Sequence, residues 1–138
     1  MAERARIFFV ENERHISWRW KQKFKKKGIH VVGRTDNAQQ AMLAIRESNP
    51  DIVISDVILN GKKDGIEFCQ DLQNETDIPI ILLSALVGER FMERVRPLNL
   101  AEVILKPIGP VQILDIIEGL IDNPAHKVNL DKFLFEDK

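Results

Sequence analysis

The chain has 138 residues, of which 44% are hydrophobic, and a formal net charge of −1. This length is typical of one domain, and the near-neutral charge gives no reason to expect direct binding to nucleic acid or to a membrane surface. The single cysteine, Cys69, excludes an intramolecular disulfide and favours a reducing compartment. The N-terminus lacks the apolar core of a signal peptide, and no apolar stretch approaches the ~18 residues of a membrane span. We therefore expect a soluble, cytoplasmic protein.

Short apolar runs alternate along the chain with segments of helical periodicity. Strands are predicted at 7–10, 29–32, 52–56, 78–84 and about 103–105. Helices are predicted at about 14–27, from a cap at Asp36 to a point before Pro50, at about 66–74, at about 89–96 and after Gly109. Strand-then-helix alternation, repeated five times, is typical of a parallel sheet that is covered on both faces.

Several helices show the apolar stripe that would pack on such a sheet. Ile16, Trp20 and Phe24 recur at spacings of four in the first helix, and Gly28 is suited to end it. Cys69 and Leu72 are expected to face inward from the third helix. In the last helix Pro110 takes the first position, and the stripe is Val111, Leu114, Ile117, Leu120 and Ile121.

The predicted fold class is α/β, with a five-stranded parallel sheet in the order 2-1-3-4-5 and helices on both faces, a flavodoxin-like three-layer sandwich. In such sheets, ligands bind at the carboxyl ends of the strands, near the point where the strand order reverses. Polar residues end four of the apolar runs: Glu11 with Asn12, Asp56, Ser84 and Lys106. These residues are therefore expected to share one site.

The chemistry of this group points to phosphoryl transfer. Glu11, Asn12 and Asp56 offer the hard oxygen ligands that Mg²⁺ prefers. Positive charge from the metal and from Lys106 would keep Asp56 ionised and neutralise an incoming phosphoryl group, to which Ser84 could donate a hydrogen bond.

The sequence resembles the response-regulator receiver domains, the CheY-like superfamily, over roughly residues 5 to 122. Five motifs match in order and spacing: Phe9-Val10-Glu11-Asn12-Glu13, Asp51-Ile52-Val53-Ile54-Ser55-Asp56, Asp64-Gly65-Ile66-Glu67, Ile80-Ile81-Leu82-Leu83-Ser84-Ala85 and Leu105-Lys106-Pro107. The resemblance implies that residues 1–138 form a single receiver domain, with 123–138 as a C-terminal tail or linker. It also implies a signalling domain rather than an enzyme.

The resemblance assigns roles residue by residue. Asp56 matches the phosphoacceptor, Lys106 the lysine that pairs with the phosphoryl oxygens, Ser84 the switch hydroxyl, and Ala85 the small residue whose N–H faces the phosphoryl group. The Mg²⁺ ligands would be Glu11, Asn12, Asp56 and the backbone carbonyl of Ile58. The Lys106–Pro107 peptide bond is expected to be cis. The implied phosphodonor is a histidine kinase or a histidine phosphotransfer protein, and output would need an effector partner, a homodimer or a further region.

Two residues depart from the family pattern. Asn12 replaces the usual aspartate, which removes a negative charge and should weaken metal binding. Val103 replaces the aromatic residue that turns inward on activation. These departures motivate an alternative, a phosphorylation-independent (pseudo-receiver) interaction module on the same fold. Ile58 and Leu86 are apolar at positions that influence how water reaches the acyl phosphate, which predicts slow hydrolysis.

Other features have competing interpretations. A flavodoxin-type flavin site is disfavoured because Glu11-Asn12-Glu13 would repel a phosphate. The basic first helix, with Trp18, is interpreted either as a solvated face or as a docking patch. His15, His30 and His126 share no metal-ligand spacing and are expected at the surface. The tail could pack on the body, mediate association or begin a linker.

Overall fold

The computed structural model describes residues 3–12 and 18–131. Five strands alternate with five helices in that part of the chain: β1 (Ala5–Val10), α1 (Trp18–Lys26), β2 (Ile29–Thr35), α2 (Ala38–Ser48), β3 (Ile52–Asp56), α3 (Gly65–Glu75), β4 (Ile80–Ser84), α4 (Glu89–Val95), β5 (Glu102–Leu105) and α5 (Pro110–Asp122). All strand pairs are parallel, and the order is β2-β1-β3-β4-β5. The predicted fold is therefore confirmed.

Alternate side chains of each strand supply two separate hydrophobic layers, as a sheet buried on both faces requires. Val10 and Val53 belong to the layer beneath α2, α3 and α4, whereas Phe9 and Ile54 belong to the layer beneath α1 and α5. Phe24 stacks on Phe9 with ring centroids 6.1 Å apart. None of the helices in the described part of the chain has the length and hydrophobicity of a membrane span.

The pairing of β2 with β1 contains a bulge. Ile7 pairs with Val31, but Phe8 pairs with Gly33, so β2 has one extra residue at this point. A Cβ atom on Gly33 would overlap the buried ring of Phe8, which explains why glycine fits there. The bulge sets the register of the last three residues of β2, which extend the strand beyond its predicted end at Val32.

Three local predictions are wrong. β4 begins at Ile80 rather than at Ile78, because Pro79 has no N–H to donate to a neighbouring strand. Val111 lies in α5 but is 61% exposed and does not belong to its buried stripe. The cap of α2 is Asn37, whose side chain accepts a hydrogen bond from the Gln40 N–H, and Asp36 instead accepts one from the Asn60 amide.

Other predictions agree with the structure. Gly28 ends α1 with φ of 78°, and the Lys106–Pro107 peptide bond is cis. Cys69 is buried in the core, and this burial raises the pKa of its thiol. His30 and His126 lie at the surface. The tail packs on the body as far as the structure describes it, since the Val128 N–H donates to the Leu100 carbonyl.

Some predictions concern residues outside the described part of the chain. They are the roles of His15 and Ile16, the side chain of Trp18, and the tail from residue 132 to residue 138.

The identity of the α2 cap can be tested by substitution. Asn37→Ala should lower the free energy of unfolding by about 1 kcal/mol, because the N–H of Gln40 loses its acceptor, whereas Asn37→Ser should retain most of it. Urea denaturation monitored by circular dichroism measures both. Asp36→Ala, as the control, should cost less, and a larger loss in that variant would contradict the assignment of Asn37.

Candidate functional site

Asp56 lies at the carboxyl end of the central strand β3 and is only 2% exposed. Its two carboxylate oxygens have different neighbours. The Lys106 ammonium lies 2.7 Å from Oδ1, and the Asn12 backbone N–H donates to Oδ2 at 3.2 Å. No described residue donates a well-oriented hydrogen bond to Oδ1, so this oxygen is stabilised chiefly by the charge of Lys106. The structure thus brings three of the predicted site residues together.

Glu11 follows β1 at the same edge, and its side chain is almost completely buried. The Arg34 side chain, from the end of β2, approaches it at two points. Nε donates to Glu11 Oε1 and Nη2 donates to the Glu11 carbonyl oxygen, both at 3.0 Å. The Glu11 N–H in turn donates to the Thr35 carbonyl at 2.9 Å. Glu11 is therefore fastened to β2 through its side chain and its backbone.

Ser84 ends β4 beside Lys106, whose N–H donates to the Ser84 carbonyl at 2.9 Å. The Ser84 hydroxyl accepts from the Leu86 N–H at 2.8 Å and lies 3.1 Å from the Leu86 carbonyl oxygen, to which it donates. This hydroxyl is thus engaged with the loop between β4 and α4. Ala85 is exposed in that loop, and Ile58 is exposed two residues after Asp56.

The first residue of α3 packs directly against the backbone of Asp56 and Val57. The Gly65 N–H donates to the Val57 carbonyl at 2.6 Å, and a Cβ atom at this position would overlap the Asp56 carbonyl oxygen. Asp64 caps α3 in a reciprocal capping box with Glu67, and it also forms an ion pair with Arg94 at 2.7 Å. The loop from β3 to α3 is therefore fixed at both ends.

The oxygen donors at this edge fit a Mg²⁺ ion in kind. Glu11 and Asp56 supply carboxylates and Asn12 supplies an amide, which are hard ligands. In the described part of the chain, however, no cluster of three or more His, Cys, Asp or Glu side chains is arranged to hold a metal. Both carboxylates also face a cation already, Lys106 at Asp56 and Arg34 at Glu11. The oxygen donors suit Mg²⁺ in kind, but the positive charges of Lys106 and Arg34 reduce the attraction of the site for a cation.

Comparison with known proteins identifies the fold and the family. The family model described as the response regulator receiver domain matches residues 7–118. The chain belongs to this family. It is accordingly a receiver domain of two-component signal transduction, a signalling class that in general is not enzymatic.

Individual relatives agree with this assignment. The "Probable transcriptional regulator ycf27" of Pyropia yezoensis is 31% identical over 113 residues, which are 80% of this chain and 45% of that protein. The receiver domain thus spans about half the length of the curated relatives it matches. The BeF₃-activated N-terminal receiver domain of Klebsiella pneumoniae RstA is 27% identical, with a TM-score of 0.72 over 84% of this chain and 97% of that one.

A further solved structure shares the fold. It is a LuxR-family two-component response regulator from Aurantimonas sp. SI85-9A1, with a TM-score of 0.77, 22% identity and coverage of 96% of both chains.

Arg34 is the contact residue at this edge that sequence reasoning missed. The second strand was predicted to end at Val32, and this placed Arg34 in a loop. Its alignment with Glu11 depends on the bulge in β2, for which the one local sign is Gly33.

The close approach of α3 to the acceptor strand gives a stability prediction. Gly65→Ala should lower the free energy of unfolding by about 3 kcal/mol, because the added methyl group must displace the backbone of Asp56. Gly119 lies in α5 with open space around its Cα, so Gly119→Ala is the matched control and should stabilise the chain by about 0.5–1 kcal/mol. Equal effects of the two substitutions in urea denaturation would contradict this interpretation.

Proposed function

We propose that this receiver domain accepts a phosphoryl group on Asp56 from a histidine kinase or a histidine phosphotransfer protein. The observation that supports this most directly is the pairing of Asp56 with Lys106 at the carboxyl edge of the sheet. In the transfer, the P–N bond of the donor's phosphohistidine breaks as a P–O bond to Asp56 forms, and the imidazole nitrogen takes up a proton. The product is an acyl phosphate.

Lys106 would have two tasks in this reaction. Before transfer, its ammonium stabilises the buried Asp56 carboxylate at Oδ1. After transfer, the same ammonium would balance the negative charge of the phosphoryl oxygens. Since Asp56 is nearly inaccessible, the phosphodonor could reach it only after the Lys106 side chain or a neighbouring loop moves.

Receiver domains generally bind Mg²⁺ at their acidic phosphorylation site, and Glu11, Asn12, Asp56 and the Ile58 carbonyl would hold the ion here. Bound Mg²⁺ would neutralise charge on the phosphoryl group as it transfers. Asn12 contributes no negative charge, so its amide oxygen would be a weaker ligand than a carboxylate.

Phosphorylation would be transmitted through Ser84. For its hydroxyl to donate to the phosphoryl group, it must give up its bond to the Leu86 carbonyl. That exchange would move the loop that carries Ala85, whose N–H would then face the phosphoryl group. Val103 is fully buried on β5 and has no large rotamer change available, so the signal would pass to an effector partner or a second copy through the β4–α4 loop.

The proposed function also implies a domain organisation and a cellular location. Residues 1–138 would act as a single receiver domain, with 123–138 as its tail. A cytoplasmic location is supported by Cys69, a buried free thiol that is compatible with a reducing compartment.

A phosphorylation-independent interaction module is the second candidate. The observation in its favour is that Arg34 and Lys106 already balance the charges of Glu11 and Asp56. Under this alternative, the folded surface would bind its partner without any change at Asp56.

Mass spectrometry of the intact chain separates the two candidates. Incubation with acetyl phosphate and Mg²⁺ should add one phosphoryl group, and Asp56→Asn should abolish the gain because the amide is a poor nucleophile. Asp115→Asn, on the exposed face of α5, is the control and should be phosphorylated normally. No mass gain at any Mg²⁺ concentration would favour the interaction module.

The phosphorylated form should hydrolyse slowly. Ile58 and Leu86 are 62% and 45% exposed on the loops that follow Asp56 and Ser84, where apolar side chains would hinder a hydrogen-bonded water. The double variant Ile58→Asn/Leu86→Gln should lose its phosphoryl group several times faster in a time course of intact mass. Val111→Gln, an exposed position on α5, is the control. A half-life of only seconds for the unmodified chain, without phosphatase, would contradict the prediction.

A further inference from the structure

Arg34 is bonded to Glu11, one of the residues that would hold the metal. Its guanidinium donates to the side chain and to the backbone carbonyl of Glu11, both at 3.0 Å. The Glu11 side chain is 3% exposed and that of Arg34 is 28% exposed, so the carboxylate is removed from water while the arginine is partly exposed. Charge-assisted hydrogen bonds of this kind are about twice as strong as neutral ones.

The register of β2 places Arg34 on the same face as Glu11. The bulge pairs Arg34 with Phe9, which faces the layer beneath α1 and α5. Glu11 lies two residues after Phe9, just past the end of β1, and its contact with Arg34 agrees with the same side. Without the bulge, Arg34 would pair with Val10, which faces the opposite layer. The ion pair is thus a product of the fold rather than a chance surface contact.

Among the residues that the structure describes at this edge, the charges of the two buried carboxylates are balanced without any metal. Two cationic side chains, Lys106 and Arg34, each face one of the two buried carboxylates, Asp56 and Glu11. Asn12 adds no charge. A divalent cation that used Glu11 would have to compete with the guanidinium for Oε1 and would also approach a positive charge.

We propose that Arg34 acts as a resident cation that holds Glu11 and limits the affinity of this edge for Mg²⁺. The inference rests on the metal site of the proposed function. It implies that Mg²⁺ and the Arg34 guanidinium oppose each other at Glu11, so each should weaken the binding of the other.

The test measures Mg²⁺ binding to the full chain by isothermal titration calorimetry, with no phosphodonor present. Arg34→Gln should bind Mg²⁺ roughly tenfold more tightly than the unmodified chain, because the competing charge is gone. Arg34→Lys keeps the charge but not the paired hydrogen bonds, so its affinity should lie between those of Arg34→Gln and the unmodified chain. Arg46→Gln removes an exposed arginine that pairs with Glu75 on another surface, and it should leave the affinity unchanged.

The change in melting temperature on adding Mg²⁺ is a readout that a merely structural arginine would not affect. In EDTA, Arg34→Gln should melt about 10 °C lower, because it leaves a buried carboxylate without the guanidinium. Added MgCl₂ should raise the melting temperature of Arg34→Gln by about 5 °C more than that of the unmodified chain or of Arg46→Gln, because tenfold tighter binding adds about 1.4 kcal/mol. A rise in Arg34→Gln no larger than that of the unmodified chain would overturn the inference.

A measurement on the unmodified chain covers the case in which Arg34→Gln fails to fold. The Arg34 Nε–H resonance should shift as MgCl₂ approaches saturation in a two-dimensional NMR titration, because its acceptor is withdrawn. An Arg34 signal that stays unchanged at saturation would refute the role of Arg34 but not the metal site. Equal affinities in Arg34→Gln and the unmodified chain would do the same. Absence of Mg²⁺ binding in every variant would instead refute the metal site of the proposed function, and with it this inference.

Discussion

The need to neutralise two buried carboxylates governs the carboxyl edge of this sheet. Glu11 and Asp56 are each 2% exposed, and a carboxylate removed from water is costly unless a cation or hydrogen-bond donors accompany it. Lys106 meets this need at Asp56 and Arg34 meets it at Glu11. The ends of β1, β2, β3 and β5 are held to one another by these two ion pairs and by the Asn12 N–H.

The same constraint connects structure with signalling. A phosphoryl group on Asp56 would change the charge that Lys106 has to balance, and a metal at Glu11 would change the charge that Arg34 has to balance. Under the proposed function, such changes would be accommodated by movement of loops at the edge, above all the segment held by the hydrogen bond between Ser84 and Leu86. In this receiver domain, β5 offers the small side chain of Val103 and no aromatic relay.

Much of the site could be predicted from the sequence alone. Asp56 and Lys106 were expected to meet because each follows a buried apolar run, and parallel strands bring such ends to one edge. The helices were recognisable from their apolar spacing and from glycine and proline signals. The errors arose where local signals competed: adjacent Asp36 and Asn37 are both good caps, and the choice between them depends on Asn60, which reaches Asp36 from a distant loop. Val111 has an apolar side chain, but α5 packs on the sheet through a different face of the helix, which carries Ile113, Leu114, Ile117 and Leu120.

Local composition and order are enough to predict the alternation of strands and helices, the family and the set of polar residues at the strand ends. The contact between Arg34 and Glu11, by contrast, depends on the tertiary fold. A single extra residue in β2 reverses which face Arg34 points to, and that bulge exists because Gly33 lets the ring of Phe8 lie against the strand. The pairing of β2 with β1 leaves no periodic pattern in the sequence, yet it places the positive charge of Arg34 beside Glu11.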